Sequence, residues 1–213
     1  SAVEVWFINK IEEEINAWIK SVAPDAEPIT IMMFAYFHNA EAPVKVLENG
    51  TIVPVDERAV PNENVMVVYA PFHNDFTYSF DDPRVGTTHR DLKNWSAICD
   101  SMMVYGYCNN TAAPMYPTNI INTMGGSYRF AKDNNFRGYM EELGGYPSME
   151  RLKWYIMSQM WWDASQSVDE LAYEFIDFYY GPVANEFKQY YGQLKQFIVY
   201  QTEGLAKRWK SPL

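Results

Sequence analysis

Two adjacent glutamates, Glu141-Glu142, stand at the end of the short apolar run Phe136–Met140. Glycoside hydrolysis commonly uses two carboxylates, one as general acid and one as base or nucleophile. Neighbouring residues on a strand point to opposite faces, so this pair is not itself such a duo. One of the two can belong to a duo, or hold a sugar hydroxyl. The plainer alternative makes both of them strand-end charges. Glu141 continues the face of Arg137 and Tyr139, and Glu142 that of Gly138 and Met140. Glu141 is the catalytic candidate, and Glu142 a substrate-binding one.

Three other apolar runs end in similar chemistry. They read Tyr36-Phe37-His38-Asn39, Phe72-His73-Asn74-Asp75 and Tyr107-Cys108-Asn109-Asn110. Amides and carboxylates bridge vicinal hydroxyls well, because they offer acceptors and donors in a fixed plane. Each Asn or Asp alone reads equally as an Asx turn leaving a strand. Their concentration at strand ends adds Tyr36, His38, His73, Asn74, Tyr107 and Asn110 to the substrate-binding candidates. His38 and His73 occupy corresponding places, which also raises a metal site. Zinc wants three or four ligands at a clear spacing. No such pattern occurs, so no metal is expected. With no phosphate-binding glycine loop, dinucleotide fingerprint, nucleophile elbow or Cys-x-x-Cys pair, no cofactor is expected either.

These residues need elements that bring them together. The runs Ile29–Phe37, Val65–Ala70, Met102–Tyr107 and Phe136–Met140 alternate with helical patterns. That alternation predicts parallel strands joined by helical crossovers. Four such units make half of an eight-unit (β/α)8 barrel, whose chemistry sits beyond the C-terminal ends of the strands. The chain opens on a helix with Phe7, Ile11, Ile15 and Trp18-Ile19 as its apolar stripe and Glu12-Glu13-Glu14 outside. Asn49-Gly50 predicts a hairpin between the first two strands. Thr88 with Asp91, and Ser167 with Glu170, read as capping boxes. Gly181-Pro182 stops a helix, and a helical tail follows.

Composition narrows the function classes. With 17 basic and 27 acidic side chains the formal charge is −10, which disfavours nucleic acid and anionic membrane as partners. No apolar run is long enough to span a bilayer, and no signal peptide opens the chain. The compartment stays open, secreted and cell-surface locations included. Cys99 and Cys108 bracket one strand, too far apart for a disulfide. Aromatic residues make up 16% of the chain. Sugar rings pack their C–H faces on aromatic faces, although most such residues in any protein are core.

From the second strand onward, the chain resembles a bacterial family, domain of unknown function 4838. The residues that carry the resemblance are Phe72-His73, Leu92-Lys93-Asn94-Trp95-Ser96, Val104–Asn110, Pro114–Asn119, Phe136–Glu141 and Phe178-Tyr179-Tyr180-Gly181. The resemblance implies the barrel of a glycoside-hydrolase-like protein, distantly similar to family 20 hexosaminidases and alpha-glucuronidases. It implies that this chain is the C-terminal half, strands five to eight, and that the general acid lies upstream. It supplies His73, Tyr107, Asn110 and Glu141 as pocket residues. The family pattern has an Asp where this chain has Gly106, and Gln-Gly where it has Glu142-Leu143.

The expected organisation is a half-barrel over residues 1–181 and a helical extension over 182–213. Two functions remain open: part of a carbohydrate-active hydrolase, or a noncatalytic carbohydrate-binding or scaffold barrel. The expected partners are a carbohydrate ligand, the missing N-terminal half of the barrel, and a second copy of the chain.

Overall fold

The computed structural model describes residues 1–72, 78–107, 120–134, 136–142 and 149–206; for 201–206 only the helical course is described. The predicted alternation is there. Strands β1 (Ile31–Ala35), β4 (Val65–Tyr69), β5 (Met102–Gly106) and β6 (Phe136–Glu141) form one sheet in that order. Every pairing is parallel, with Phe34 beside Val68, Tyr69 beside Val104, and Gly106 beside Glu141. A bulge at Met102/Met103 shifts the β5–β6 register by one residue. Between β1 and β4 lies the expected hairpin, β2 (Val44–Val46) with β3 (Ile52–Pro54). Gly50 takes φ +83° in its turn, a conformation that a side chain disfavours.

Helices α1 (Ala2–Val22), α2 (Thr87–Ser96) and α3 (Ile120–Asp133) fall before and between the strands. Then come α4 (Glu150–Trp162), α5 (Val168–Tyr180) and α6 (Ala184–Ala206). The chain forms two compact units. The first holds α1, the hairpin, the four strands, α2 and the last turn of α3. The second holds the turn Pro83–Val85, the rest of α3, and α4 to α6.

In the first unit the two sheet faces differ. Met33, Ala35, Val65, Val67, Tyr69, Met102 and Val104 share one face and are buried. Leu92 and Trp95 of α2 are fully buried with them. On the other face Met32, Phe34 and Met140 are exposed, and Met66, Met103 and Tyr105 are half-buried.

Two helix readings need correction. The inward face of α1 carries Val5, Asn9 and Glu12, while Phe7 and Trp18 point to solvent. Glu12 is only 6% exposed. Its carboxylate is buried because amides from Asn16, Asn62 and Asn64 satisfy it. Thr88 and Asp91 do not cap α2. The cap is Gly86 at φ +79°, and both residues lie buried inside the helix.

In the second unit Ser167 does cap α5, accepting the Glu170 N–H, and Gly181 ends it at φ +49°. Gly126 of α3 lets that helix close on Ser79, whose Cβ would lie 2.8 Å from an added methyl. Leu152, Ile156, Met157, Met160, Ile176 and Tyr191 are buried in the helices of this unit. No helix among the described residues is long and apolar enough to cross a membrane.

Candidate functional site

The C-terminal ends of β1, β4 and β5 carry a connected belt of six rings. Phe34 meets Tyr105 at 5.8 Å, Tyr105 meets Tyr107 at 5.4 Å, and Tyr107 meets Phe72 at 5.4 Å. Phe72 then meets Tyr36 at 5.8 Å and Phe37 at 5.2 Å. Most of these contacts are edge-on, the arrangement that ring quadrupoles favour. Phe34, Phe37 and Phe72 are each about half exposed, so the belt is a surface and not a core. Ring alternation on β1 and β5 follows from the two-residue period of a strand.

The turn after β1 holds the end of the belt. Asn39 accepts the Tyr36 N–H at 2.7 Å and donates to the Phe34 carbonyl at 2.9 Å. These bonds clamp the 3-10 turn Phe37–Asn39 and hold Phe37 at φ +49°, a strained value for a residue with a side chain. Trp95 anchors the far side, donating from Nε1 to the Ala40 carbonyl at 2.7 Å.

Behind Phe37 and Phe72 opens a cleft of about 240 Å³, lined also by Glu41, Tyr69, Thr88, Arg90 and Asp91. Its floor is a hydrogen-bonded chain. Arg90 donates to Asp91 Oδ1 from Nε at 3.0 Å and from a terminal nitrogen at 2.8 Å. The same terminal nitrogen lies 3.6 Å from Glu41 Oε1. Tyr69 donates its hydroxyl to Asp91 Oδ2 at 3.3 Å. Burial raises the Asp91 carboxyl above its ordinary value and outweighs the Arg90 bonds that pull it down. The Tyr69 phenol is raised as well, by burial first and then by the Asp91 charge.

The sequence candidates divide. Tyr36 and Tyr107 belong to the belt and are joined through Phe72. His38 turns away to solvent, 82% exposed, and its Nε2 lies 3.0 Å from Glu4 Oε1 on α1. Glu141 sits beside Gly106 on the face that carries Val104 and Met102. A Cβ on Gly106 would fall on the Glu141 carboxylate. Glu142 follows β6 and is exposed. His73, Asn74 and Asn110 lie outside the described residues. Among the described residues no cluster of three or more His, Cys, Asp or Glu could hold a metal ion. Cys99 is a buried free thiol, and Cys108 lies outside the described residues.

Sequence reasoning missed Glu41, Arg90 and Asp91. The signal was present in Arg90-Asp91, adjacent opposite charges near the start of α2. Reading Asp91 with Thr88 as a capping box concealed it.

The fold and the belt together define an α/β chain with a four-stranded parallel sheet, an aromatic rim at its strand ends, and C-terminal helices. A family model, Domain of unknown function (DUF4838), matches residues 1–193, and the chain belongs to that family. No curated protein and no solved structure matches it.

Proposed function

We propose that this chain is the C-terminal half of a glycoside-hydrolase-like (β/α)8 barrel that holds carbohydrate at the C-terminal ends of its strands. The observation that carries the reading is the belt from Phe34 to Phe37. Six connected rings, three of them half exposed, offer C–H-binding surface where a parallel barrel keeps its chemistry. The net charge of −10 suits a neutral glycan better than an acidic one. The half of the barrel that would cover Met32 and Met140 comes from upstream sequence or from a second copy.

A noncatalytic role for the chain on its own is favoured by the position of Glu141. Its carboxylate lies against Gly106 on the covered face, while glycosidase chemistry needs two carboxylates facing one bond. Titration calorimetry with neutral oligosaccharides tests the reading. Binding should weaken about tenfold in Phe72→Ala, the loss of roughly 1.4 kcal/mol of ring contact. Aryl glycosides should not turn over. No binding of any neutral glycan at millimolar concentration would end the carbohydrate proposal, and robust turnover abolished by Glu141→Gln would end the noncatalytic one.

A further inference from the structure

We infer that the cleft between the Phe37–Glu41 turn and the first turn of α2 seats a single uncharged sugar ring, as the end station of the aromatic belt. The inference rests on the carbohydrate reading and gives it a ligand class and a place.

Charge decides the class. Among the described residues Arg90 is the one cation lining the cleft, and it already faces two carboxylates, Asp91 at 2.8 Å and Glu41 at 3.6 Å. A phosphate or an acidic sugar would have to displace one carboxylate or lie beside both, and like charges so close repel. A cation would meet the guanidinium. A hydroxyl suits the floor, because it donates and accepts at once. Arg90 has further N–H groups to donate and the exposed Glu41 carboxylate accepts, while the buried Thr88 and Asp91 hold the floor in place.

Shape decides the size. About 240 Å³ is below the range of roughly 300–1,000 Å³ usual for drug-sized ligands, and it fits one ring and not a chain. Phe37 and Phe72, 5.2 Å apart and tilted at 45°, wall the mouth with apolar surface for the C–H side of that ring. The seat is already built. Asn39 clamps the turn, Trp95 ties it to α2, and Tyr69 fixes the Asp91 carboxylate. Phe37 is held at a strained φ of +49° that leaves its ring half exposed at the mouth. Strain persists only where surrounding bonds enforce it, and such positions gather at ligand clamps.

Amide chemical-shift mapping on the full chain tests this with four probes: methyl β-D-glucopyranoside, methyl β-D-galactopyranoside, sodium glucuronate and inorganic phosphate. One or both neutral glycosides should shift the amides of His38, Ala40, Glu41, Thr88 and Arg90, and the two anions should not. Glu41→Ala alters a side chain that is 70% exposed, so the fold should tolerate it; Arg90→Gln also removes two bonds to the buried Asp91 carboxylate, so its folding is checked by its own amide spectrum. Each should weaken the neutral glycoside about tenfold, the loss of a hydrogen bond to a charged group. Shifts confined to Tyr105 and Tyr107, unaffected by both variants, would overturn the cleft and leave the belt reading standing. Preference for phosphate or glucuronate would overturn the uncharged class. Silence with all four probes would overturn the cleft, while the belt reading stands or falls by the oligosaccharide titration.

Discussion

Three side-chain amides converge on the Glu12 carboxylate, from Asn16 on the same helix and from Asn62 and Asn64 ahead of β4, at 2.6, 3.0 and 3.1 Å. Asn9 extends the lattice, donating to the Val60 carbonyl at 2.7 Å and accepting the Asn62 N–H at 3.0 Å. Burial acts to raise the Glu12 carboxyl, but the three amides together win and hold it below its ordinary 4.5. A depressed carboxylate contributes stability above its unfolded pKa and loses it as pH falls through the folded one. Glu12→Gln removes an acceptor and brings an NH2 against the converging donors, which should cost about 1–3 kcal/mol at neutral pH. Urea unfolding at several pH values checks both points. The gap between wild type and variant should shrink as pH falls below about 4. Equal stability of the two proteins at neutral pH would show that the amide lattice contributes nothing. None of this was legible in Glu12-Glu13-Glu14, which looks like a solvated face. The partners that bury Glu12 come from about fifty residues further along, and helical periodicity carries no information at that range.

At the scale of elements, the strands were the most legible part. Each predicted run matches an observed strand to within two residues at either end, because β-branched and aromatic residues bounded by polar or turn residues specify a covered strand locally. The hairpin followed from Asn49-Gly50 for the same local reason. Which face of a strand lacks cover is a tertiary fact. The belt residues Tyr36 and Tyr107 were found by type as binding candidates, while Phe34 was legible only as a residue of the uncovered face and Tyr105 was not singled out. The β5–β6 pairing shows what register adds. Gly106 and Glu141 are partners on one face, and the glutamate carboxyl occupies the space where a side chain at 106 would stand. Gly106→Ala should therefore overpack the strand end, with a typical cost of about 1–3 kcal/mol. In the double variant with Glu141→Ala the space is vacated, and most of that cost should vanish. A double-mutant cycle in urea reads the coupling directly. Strict additivity of the two changes would mean that the carboxylate simply swings aside.

For the whole molecule, the open face of the sheet raises the question of what completes it. All four strands run the same way, and among the described residues β1 and β6 pair on one side only. Met32, Phe34 and Met140 remain exposed, with Met66, Met103 and Tyr105 half covered. Full burial of such a side chain stabilises by roughly 1.5–3 kcal/mol, so even partial burial of several rivals the stability of a domain. Unpaired parallel edges add a template for further strands. In a twofold pairing β6 of one chain could meet β1 of the other, and two open faces would enclose one another; a closed barrel has no edges at all. The charge of −10 per chain opposes association, and salt screens that repulsion. A second copy is therefore our proposed occupant when the chain stands alone. Sedimentation at micromolar concentration should show a species of twice 24.8 kDa, more populated as salt rises. Met32→Lys places a charge on the open face outside the belt, and it should return the protein to monomer without unfolding it. A wild-type monomer that stays monomeric across salt and concentration would refute the pairing, and would leave upstream sequence as the source of the cover.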